Sequence, residues 1–588
     1  MKFNLFIVLF LFLSNCAHYS QQTTNSYLQK PLWIQQSDKL AEEFTKSLSA
    51  LQPELGSEMG YTEFDRFGLL LSYQTEELNR KLFIQWIERL NKEITQTFDE
   101  DLKTDLSVLK NWLQNQINNI DNSKSAQEVE FVPAVKFIYQ SLQTLINPQT
   151  SIERKQASVD RFKIYVQGDN QHLPLLEAIR KNFQARLKKY KGLNPLLPYI
   201  GEVQQYLKDT DTYVAGIEKL LKSSGRSDWN TDLKKFKKQS FAYNKFIKKE
   251  ILSHSRKDPR VPINIYTQIL KRRGIVRSPE ELISTGLNDY QKLYQKFYEQ
   301  ARMVANKNGF KKTTPAEVIK ILKSQPVKSV NEVEVLYRNA DKRLEKIMIE
   351  NDLISVPTSA LRIRIASEAE SKAVPVPHLI PPPLINNHGT RPEFVVPNSS
   401  VGIPFDDFSS SYAAIVLTAH EGRPGHDMQF SHILDKGVSA IRSRYAANNV
   451  NIEGWALYAE DLVYPYLTSE EQLFAIQTRL WRIARMFLDP QLQLGQISDQ
   501  RVIDVFTKEL GVSTTMANLE LRRYKYDDIG QAPSYYEGYL LVKEIHDDAK
   551  KRLGEQFRLK CFNDRLLSFG LLPLTISKER MSYGNLCH

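Results

Sequence analysis

Two histidines and a glutamate lie close together in the second half of this 588-residue chain. His420 is followed directly by Glu421, and His426 comes six residues after His420. Neutral imidazoles bind zinc, and a carboxylate beside one of them can accept a proton from a water molecule on the metal. These are the residue types of a hydrolytic zinc site, with His420 and His426 as metal ligands and Glu421 as general base.

The two histidines are farther apart than in the HExxH motif, where ligands four residues apart share one helix face. Six residues of straight helix turn about 240°, too far for one ion to reach both. Pro424 and Gly425 stand just before His426. Proline removes a helical hydrogen bond and glycine allows unusual dihedral angles, so we expect the helix to break or bulge and return His426 to His420. The alternative is a helix C-terminus with incidental histidines.

The helix that carries the first histidine is predicted to be largely buried, because residues 412–421 are apolar and free of breakers. Burying the charge of Glu421 is costly unless a cation offsets it. A catalytic zinc site needs a third protein ligand, and the best candidate is Glu453 in a second apolar helix. Glu460 supports a ligand histidine by a hydrogen bond or is a surface acid. His432 fits a helix-face residue better than a ligand.

The rest of the chain predicts a mainly α-helical fold. Apolar residues recur at three- and four-residue steps, and Ser278 followed by Pro279 is a helix start signal, so we expect a helical N-terminal lobe over residues 31–350. Prolines then become frequent, and Arg362–Ile365 and Glu393–Val396 have strand-like character. We expect a small β-sheet next to the metal-binding helix. Its edge strand either receives an extended peptide or is a plain structural hairpin.

The N-terminus has the pattern of a targeting segment. A lysine precedes a short apolar run over residues 3–13, and the four residues that end at Cys16, Leu-Ser-Asn-Cys, resemble a bacterial lipobox. We expect residues 1–15 to be a lipoprotein signal peptide, Cys16 to carry the lipid and residues 16–30 to be a tether. No aspartate follows Cys16, which indicates a cell-envelope protein anchored in the outer membrane and facing the periplasm.

Two further cysteines, Cys561 and Cys587, lie near the C-terminus. They can pair in an oxidising periplasm or remain buried and free, and the sequence does not decide between these states.

The net charge is +11, but lysines and arginines are interleaved with acids. No nucleic-acid-binding motif is present, so we exclude nucleic acid as a partner. Basic runs at residues 186–191 and 234–238 are typical of solvated helix faces and could help the protein to lie against anionic lipid or peptidoglycan.

Several motifs occur together in one order. They are HEGRPGH at 420–426, EGWALYAE at 453–460, RIAR at 482–485, RY at 523–524, GQA at 530–532, YYEG at 535–538 and DRLL at 564–567. This set resembles the bacterial family catalogued as domain of unknown function 885, whose members carry HExxPGH followed by EGWALYxE. The resemblance covers most of the mature chain and is densest from about residue 391 onward.

That family is grouped with the gluzincin type of zincin metallopeptidases. The resemblance implies a large helical zincin-like fold with a deep cleft and a catalytic lobe over residues 351–588. It implies hydrolysis of short peptides, with Glu421 as general base and with Zn²⁺ held by His420, His426 and Glu453.

Two more residues are candidates for contact with the substrate. Tyr535 and Arg523 could bind the oxyanion or a substrate carboxylate, since a phenol can donate to an oxyanion and a guanidinium binds carboxylates in a bidentate manner. The alternatives are a buried tyrosine and a surface ion pair.

The chain departs from the family pattern at two positions, Gln493 and Asn563, where members often have histidine. If either histidine stabilises the transition state, activity is altered or lost here. The alternative function is therefore a non-catalytic peptide-binding or scaffolding lipoprotein of the envelope, and a third is a zinc hydrolase acting on a non-peptide amide or ester. The oligomeric state does not follow from the sequence.

Overall fold

The computed structural model describes residues 30–71, 74–324, 329–397, 407–583 and 586–587, and it confirms the mainly α-helical prediction. The predicted signal peptide, the lipidation site Cys16 and the predicted tether except Lys30 lie outside the described residues. Within the described ranges, every helix is too short or too polar to cross a bilayer.

The first part of the chain is helical up to the sheet. In the described ranges its helices are α1 (Leu32–Ser49), α2 (Pro53–Glu58), α3 (Thr75–Gln96), α4 (Glu100–Ser125), α5 (Ala134–Leu145), α6 (Ile152–Gln167), α7 (Leu175–Lys189), α8 (Ile200–Lys222), α9 (Asn230–Phe246), α10 (Leu252–His254), α11 (Ile263–Arg272), α12 (Pro279–Asn308), α13 (Pro315–Lys323) and α14 (Val330–Glu350), with a 3₁₀ turn at Thr62–Phe64 and a π-helical segment at Ile247–Ile251.

The start of α12 is the one that the sequence predicts. Ser278 accepts a hydrogen bond from the backbone N–H of Glu281, and the Glu281 carboxylate accepts one from the N–H of Ser278. This reciprocal cap satisfies two backbone donors, and Pro279 occupies the first helical position, where its missing N–H costs nothing.

A small three-stranded sheet follows, as expected. It comprises β1 (Arg362–Ile365), β2 (His378–Ile380) and β3 (Glu393–Val396), with α15 (Glu368–Ala373) between β1 and β2. The strand order is β1-β3-β2; β1 is parallel to β3, and β2 is antiparallel to it. In this register Leu379 faces Phe394. β2 is therefore an edge strand, and β3 is fully buried between its neighbours.

Helices again make up the C-terminal part. They are α16 (Ser411–Glu421), α17 (His426–Lys436), α18 (Asn449–Val463), α19 (Ser469–Gln493), α20 (Asp499–Asp504), α21 (Thr514–Arg522), α22 (Ser534–Leu553), α23 (Leu559–Ser568) and α24 (Leu574–Met581), with π-helical segments at Ile441–Tyr445, Val505–Glu509 and Arg523–Asp527 and 3₁₀ turns at Tyr464–Tyr466 and Gly554–Gln556.

Helices α18 and α22 touch backbone to backbone. A β-carbon on Gly538 would overlap the carbonyl oxygen of Val450, and one on Gly454 would overlap the backbone of Gly538. Glycine is required on both helices at this crossing, because any side chain would push them apart. The crossing lies one residue from Glu453 and three from Tyr535, so it fixes the distance between these two candidate site residues.

The two largest hydrophobic cores draw their side chains from different parts of the sequence. The smaller one lies among α5 to α9 and includes Phe162 and Phe236. The larger one contains side chains from both sides of residue 350, among them Phe44, Phe297 and Phe487. The division into two lobes at residue 350 stays a prediction.

Cys561 and Cys587 form a disulfide, with their Cα atoms 5.0 Å apart. Of the two states that the sequence allows, the structure has the paired one. The bond ties the end of the chain to α23.

Candidate metal centre

The Pro-Gly segment breaks the helix and brings the histidines together. α16 ends one residue after His420, and α17 begins at His426. A β-carbon on Gly425 would overlap the carbonyl oxygen of His420, so only glycine permits this reversal. The Trp455 indole N–H donates to the carbonyl oxygens of Pro424 and Gly425 at 3.1 and 3.2 Å and holds the turn against α18. The two imidazole centroids consequently lie 5.0 Å apart.

Glu453 adds a carboxylate oxygen between these rings. Its Oε2 lies 3.4 Å from Nε2 of His420 and 3.4 Å from Nε2 of His426. Two ligands about 2.1 Å from a tetrahedral zinc are about 3.4 Å apart, so this spacing suits one ion among three donor atoms. Oε2 of Glu453 is buried and has no hydrogen-bond donor within the described residues. Such an oxygen is costly, and a cation at this point would satisfy it.

The electrostatics of the cluster favour bound positive charge. Burial alone would lower the pKa of His420, but its contacts with Glu453 and Glu460 outweigh burial and raise that pKa to about 9. Burial alone would raise the pKa of Glu453, but His420 and His426 hold it well below its ordinary value. The site therefore attracts a proton in the absence of metal, and a divalent cation would take the place of that proton.

Glu460 fixes the orientation of His420. Its Oε1 lies 2.8 Å from Nδ1 of His420, and because a carboxylate can only accept, Nδ1 carries the proton and Nε2 is left for a metal. Thr478 donates to the other oxygen of Glu460 at 3.2 Å, and Arg482 lies 3.6 Å from the first. Glu460 is 2% exposed, so the surface-acid alternative is excluded.

Glu421 sits between the histidines and the edge strand. Its Oε1 is 4.0 Å from Nε2 of His420, and its Oε2 accepts a hydrogen bond of 2.9 Å from the backbone N–H of Leu379. Leu379 is the middle residue of β2, and its N–H points away from β3, as it does at alternate residues of an antiparallel edge strand. Ligand atoms of His420, Glu421 and His426 all lie within 4.8 Å of one another.

Tyr535 and Arg523 lie together beside His420. The Tyr535 ring stacks on the His420 ring at a centroid distance of 6.0 Å, and Nη2 of Arg523 donates to the phenol oxygen at 3.0 Å. The phenol proton therefore remains free to be donated elsewhere. Burial raises the pKa of Tyr535, although Arg523 acts in the opposite direction, so the hydroxyl is protonated at neutral pH. The Arg485 guanidinium carbon lies 4.5 Å from the centroid of the Tyr535 ring.

Gln531 joins these two residues to the metal ligands, a role that the sequence analysis does not assign. Its Nε2 donates to Oε1 of Glu453 at 3.2 Å, and its Oε1 accepts a hydrogen bond from Arg523. The motif GQA places a glutamine here, but its partner is 78 residues away along the chain, so spacing gives no signal for the contact.

The two departures from the family pattern are hydrogen-bonded within the protein framework. Gln493 accepts from the backbone N–H of Val261 at 3.1 Å and donates to the carbonyl oxygen of Tyr524 at 2.7 Å. Asn563 donates to the carbonyl oxygen of Leu353 at 2.8 Å and accepts from Tyr458 at 3.1 Å. Neither amide hydrogen-bonds a member of the histidine and glutamate cluster.

Comparison with known proteins gives a family and a fold. The sequence matches the model of the family described as "Bacterial protein of unknown function (DUF885)" over residues 53–581. Curated protein sequences give no match. A "putative lipoprotein of unknown function" from Shewanella oneidensis is similar in structure with a TM-score of 0.72 and 16% identity, over 93% of this chain and 100% of that one. A "putative lipoprotein" from Colwellia psychrerythraea gives a TM-score of 0.75 and 17% identity, over 94% and 98%.

Proposed function

The chain belongs to the bacterial family DUF885, and we propose that it is a zinc-dependent metallopeptidase that hydrolyses short peptides. The observation that carries the proposal is the buried Oε2 of Glu453, which lies 3.4 Å from two imidazole nitrogens and has no hydrogen-bond donor within the described residues. His420, His426 and Glu453 would hold the ion. Zinc at this position would polarise a substrate carbonyl and lower the pKa of a water molecule to about 7.

Glu421 would act as general base. One of its oxygens accepts from Leu379, which fixes the carboxylate, and the other faces the imidazole of His420 and is free to accept a proton. Glu421 takes the proton of the attacking water and passes it to the leaving amine. Its side chain is 14% exposed, compared with 2% for His420, so it lies on the solvent side of the cluster.

Tyr535 supplies the hydrogen bond for the oxyanion. Arg523 donates to its oxygen, which leaves the O–H to donate and makes it a stronger donor. Gln531 and Arg485 hold this pair in place. A donor that is oriented before the reaction stabilises developing charge without reorganisation.

The recessed position of the cluster favours short, extended substrates. His420, His426 and Glu453 are each less than a tenth exposed, so a folded protein surface would not reach them. The edge strand β2 runs past Glu421 with the outward N–H of Leu379 beside the cluster. Because this N–H already donates to Glu421, an extended peptide would lie along β2 beside the general base without pairing to it.

We place the enzyme in the cell envelope, held by a lipid on Cys16 in the outer membrane and facing the periplasm. Three observations support an envelope location: the lipobox-like sequence, the "putative lipoprotein" description of the two similar structures named above, and the disulfide, since disulfides persist in oxidising compartments.

The experiment is digestion of a mixed peptide library by the zinc-loaded protein, with the products identified by mass spectrometry. Glu421→Gln should retain zinc and lose cleavage by about 100- to 10,000-fold, because the base is removed while the ligands remain. Glu350→Gln, on the exposed end of α14, is the matched control and should cleave normally. A zinc-loaded protein that cleaves no peptide would favour the non-catalytic lipoprotein, and turnover of amides or esters alone would favour the third alternative.

A further inference from the structure

Helix α9 presents a regular basic stripe to solvent. Lys234, Lys238, Lys245 and Lys248 are exposed, and Phe241 lies at the centre of the stripe with 75% of its surface accessible. Steps of four, three, four and three residues separate these five positions, so they share one face. The last lysine belongs to the π-helical segment that continues α9.

The stripe cannot rotate toward the interior, because the opposite face of α9 is part of the smaller hydrophobic core. Leu233, Phe236, Tyr243 and Phe246 are buried there. Phe241 is on the opposite side of α9 from these four side chains and contributes nothing to the core. One exposed phenylalanine is ordinary on a protein surface, so the distinguishing feature here is its position at the centre of four lysines.

The charge of the stripe is not neutralised within the described part of the chain. None of its four lysines has an ion pair there, whereas the neighbouring Lys237 pairs with Glu218 at 2.6 Å. α9 and its extension contain two acids. Asp232 is buried and bonded to Gln167, and Glu250 lies 4.0 Å from Lys249, which is not part of the stripe. The face therefore carries a local excess of four positive charges around one apolar ring.

We propose that this α9 stripe binds the surface of an anionic phospholipid membrane. The lysines match the negative headgroups, and the Phe241 ring enters the boundary between headgroups and acyl chains. A lone central aromatic ring flanked on both sides by lysines suits a lipid boundary better than a saccharide polymer, because an acyl layer offers the ring an apolar environment.

The proposed lipid anchor gives the stripe a membrane to contact. From Cys16 to Lys30 the chain can extend at most about 50 Å, so the folded protein stays near the membrane that holds the lipid. A basic surface adds an electrostatic contact with the same membrane and so orients the anchored protein on it. The proposal does not depend on peptidase activity.

The test is co-sedimentation with vesicles. The chain from residue 17 onward, which retains every described residue and lacks the lipid, is mixed with vesicles of phosphatidylcholine alone or with one-quarter phosphatidylglycerol. We expect binding to the anionic vesicles at low salt and its loss at high salt. Replacing the four lysines by Gln should weaken binding by at least about 100-fold, since each lysine near such a surface contributes about 1 kcal/mol. Phe241→Ser should weaken it by about tenfold.

A charge-matched control separates the stripe from net charge. Lys296→Gln, Lys311→Gln, Lys342→Gln and Lys551→Gln together remove the same charge from exposed positions on other elements and should bind as the unaltered chain does. Circular dichroism checks folding, and Phe241→Ser keeps the test valid if the quadruple variant does not fold. Three results would overturn the proposal. The first is that the unaltered chain binds no anionic vesicles, and the second is that the control variant loses as much vesicle binding as the stripe variant does. The third is that the stripe variant binds vesicles normally but no longer binds peptidoglycan sacculi.

Discussion

Gln531 links the metal ligand Glu453 to the Tyr535 hydroxyl through a chain of hydrogen bonds. It donates to Glu453 on one side and accepts from Arg523 on the other, and Arg523 in turn donates to Tyr535. A donor of this kind fixes the orientation of a ligand carboxylate, so its effect extends to metal affinity as well as to catalysis.

Replacing this residue by a shape-matched apolar one should separate the two effects. We expect Gln531→Leu to weaken zinc binding by about 10- to 100-fold, because outer partners of metal ligands typically contribute that much, and to lower kcat at saturating zinc. Competition with a zinc chelator measures the affinity. Gln493→Leu is the control: it also removes a buried amide, but one that binds only the backbone, so it should change stability and not zinc affinity. Equal affinity in the Gln531 variant and the unaltered protein would refute the connection.

His420 gives the stability of the metal-free protein a characteristic pH dependence. Its folded pKa of about 9 exceeds the unfolded value of about 6.5, so its protonation stabilises the fold below pH 6.5 and this contribution is lost as the pH rises to 9. Zinc requires a neutral imidazole, so the zinc-loaded protein has no such loss. The difference in thermal midpoint between the two forms should therefore widen from pH 6.5 to pH 9. A constant difference would contradict this assignment.

Among the structural elements, the break between α16 and α17 makes the six-residue spacing usable. The break itself follows from the sequence, because proline and glycine interrupt helices. The close approach of Gly425 to the His420 carbonyl cannot be predicted from the sequence, because it depends on how Trp455 holds the turn against α18.

Adding one methyl group at Gly425 should disrupt the metal site. We expect Gly425→Ala to displace His426, to abolish tight zinc binding and to lower the free energy of unfolding by more than about 2 kcal/mol, because the β-carbon would overlap a backbone oxygen. Calorimetry and zinc titration measure these effects. Gly309→Ala is the control: its β-carbon meets no atom within 4 Å, and only its left-handed φ of 68° opposes it, at a cost of about 1 kcal/mol. Normal zinc binding by the Gly425 variant would show that the approach is unimportant.

The helices and strands that the sequence predicts are those with a clear local pattern. Periodicity and caps predict α12 and α16, and β-branched residues predict β1 and β3. β2 is not predicted, because three residues are too few to show an alternation. Glu453 and Glu460 can be chosen as candidates because they share one motif with helical spacing. The sequence does not identify the partners of these two glutamates, because only tertiary packing brings them together. Those partners are Gln531 for Glu453, and Thr478 and Arg482 for Glu460.

For the whole molecule, the disulfide near the C-terminus is the one covalent link between distant residues in the described part of the chain. It closes a loop of 26 residues, for which chain entropy gives about 3.5 kcal/mol of stabilisation. We expect Cys561→Ser with Cys587→Ser to lower the thermal midpoint and to leave zinc content unchanged, because His420, His426 and Glu453 all lie outside the loop that the bond closes. Calorimetry with and without reductant provides the measurement. A reductant-insensitive unaltered protein would contradict the expectation.

The most direct test of the proposed metal centre is the zinc content of the purified protein. Elemental analysis after exposure to zinc and removal of the excess should give about one zinc per chain for the unaltered protein and for His432→Gln, which changes another histidine of the same helix α17. His426→Gln and Glu453→Gln should each retain almost none. Absence of zinc from the unaltered protein, or its full retention after loss of Glu453, would contradict the proposed metal centre.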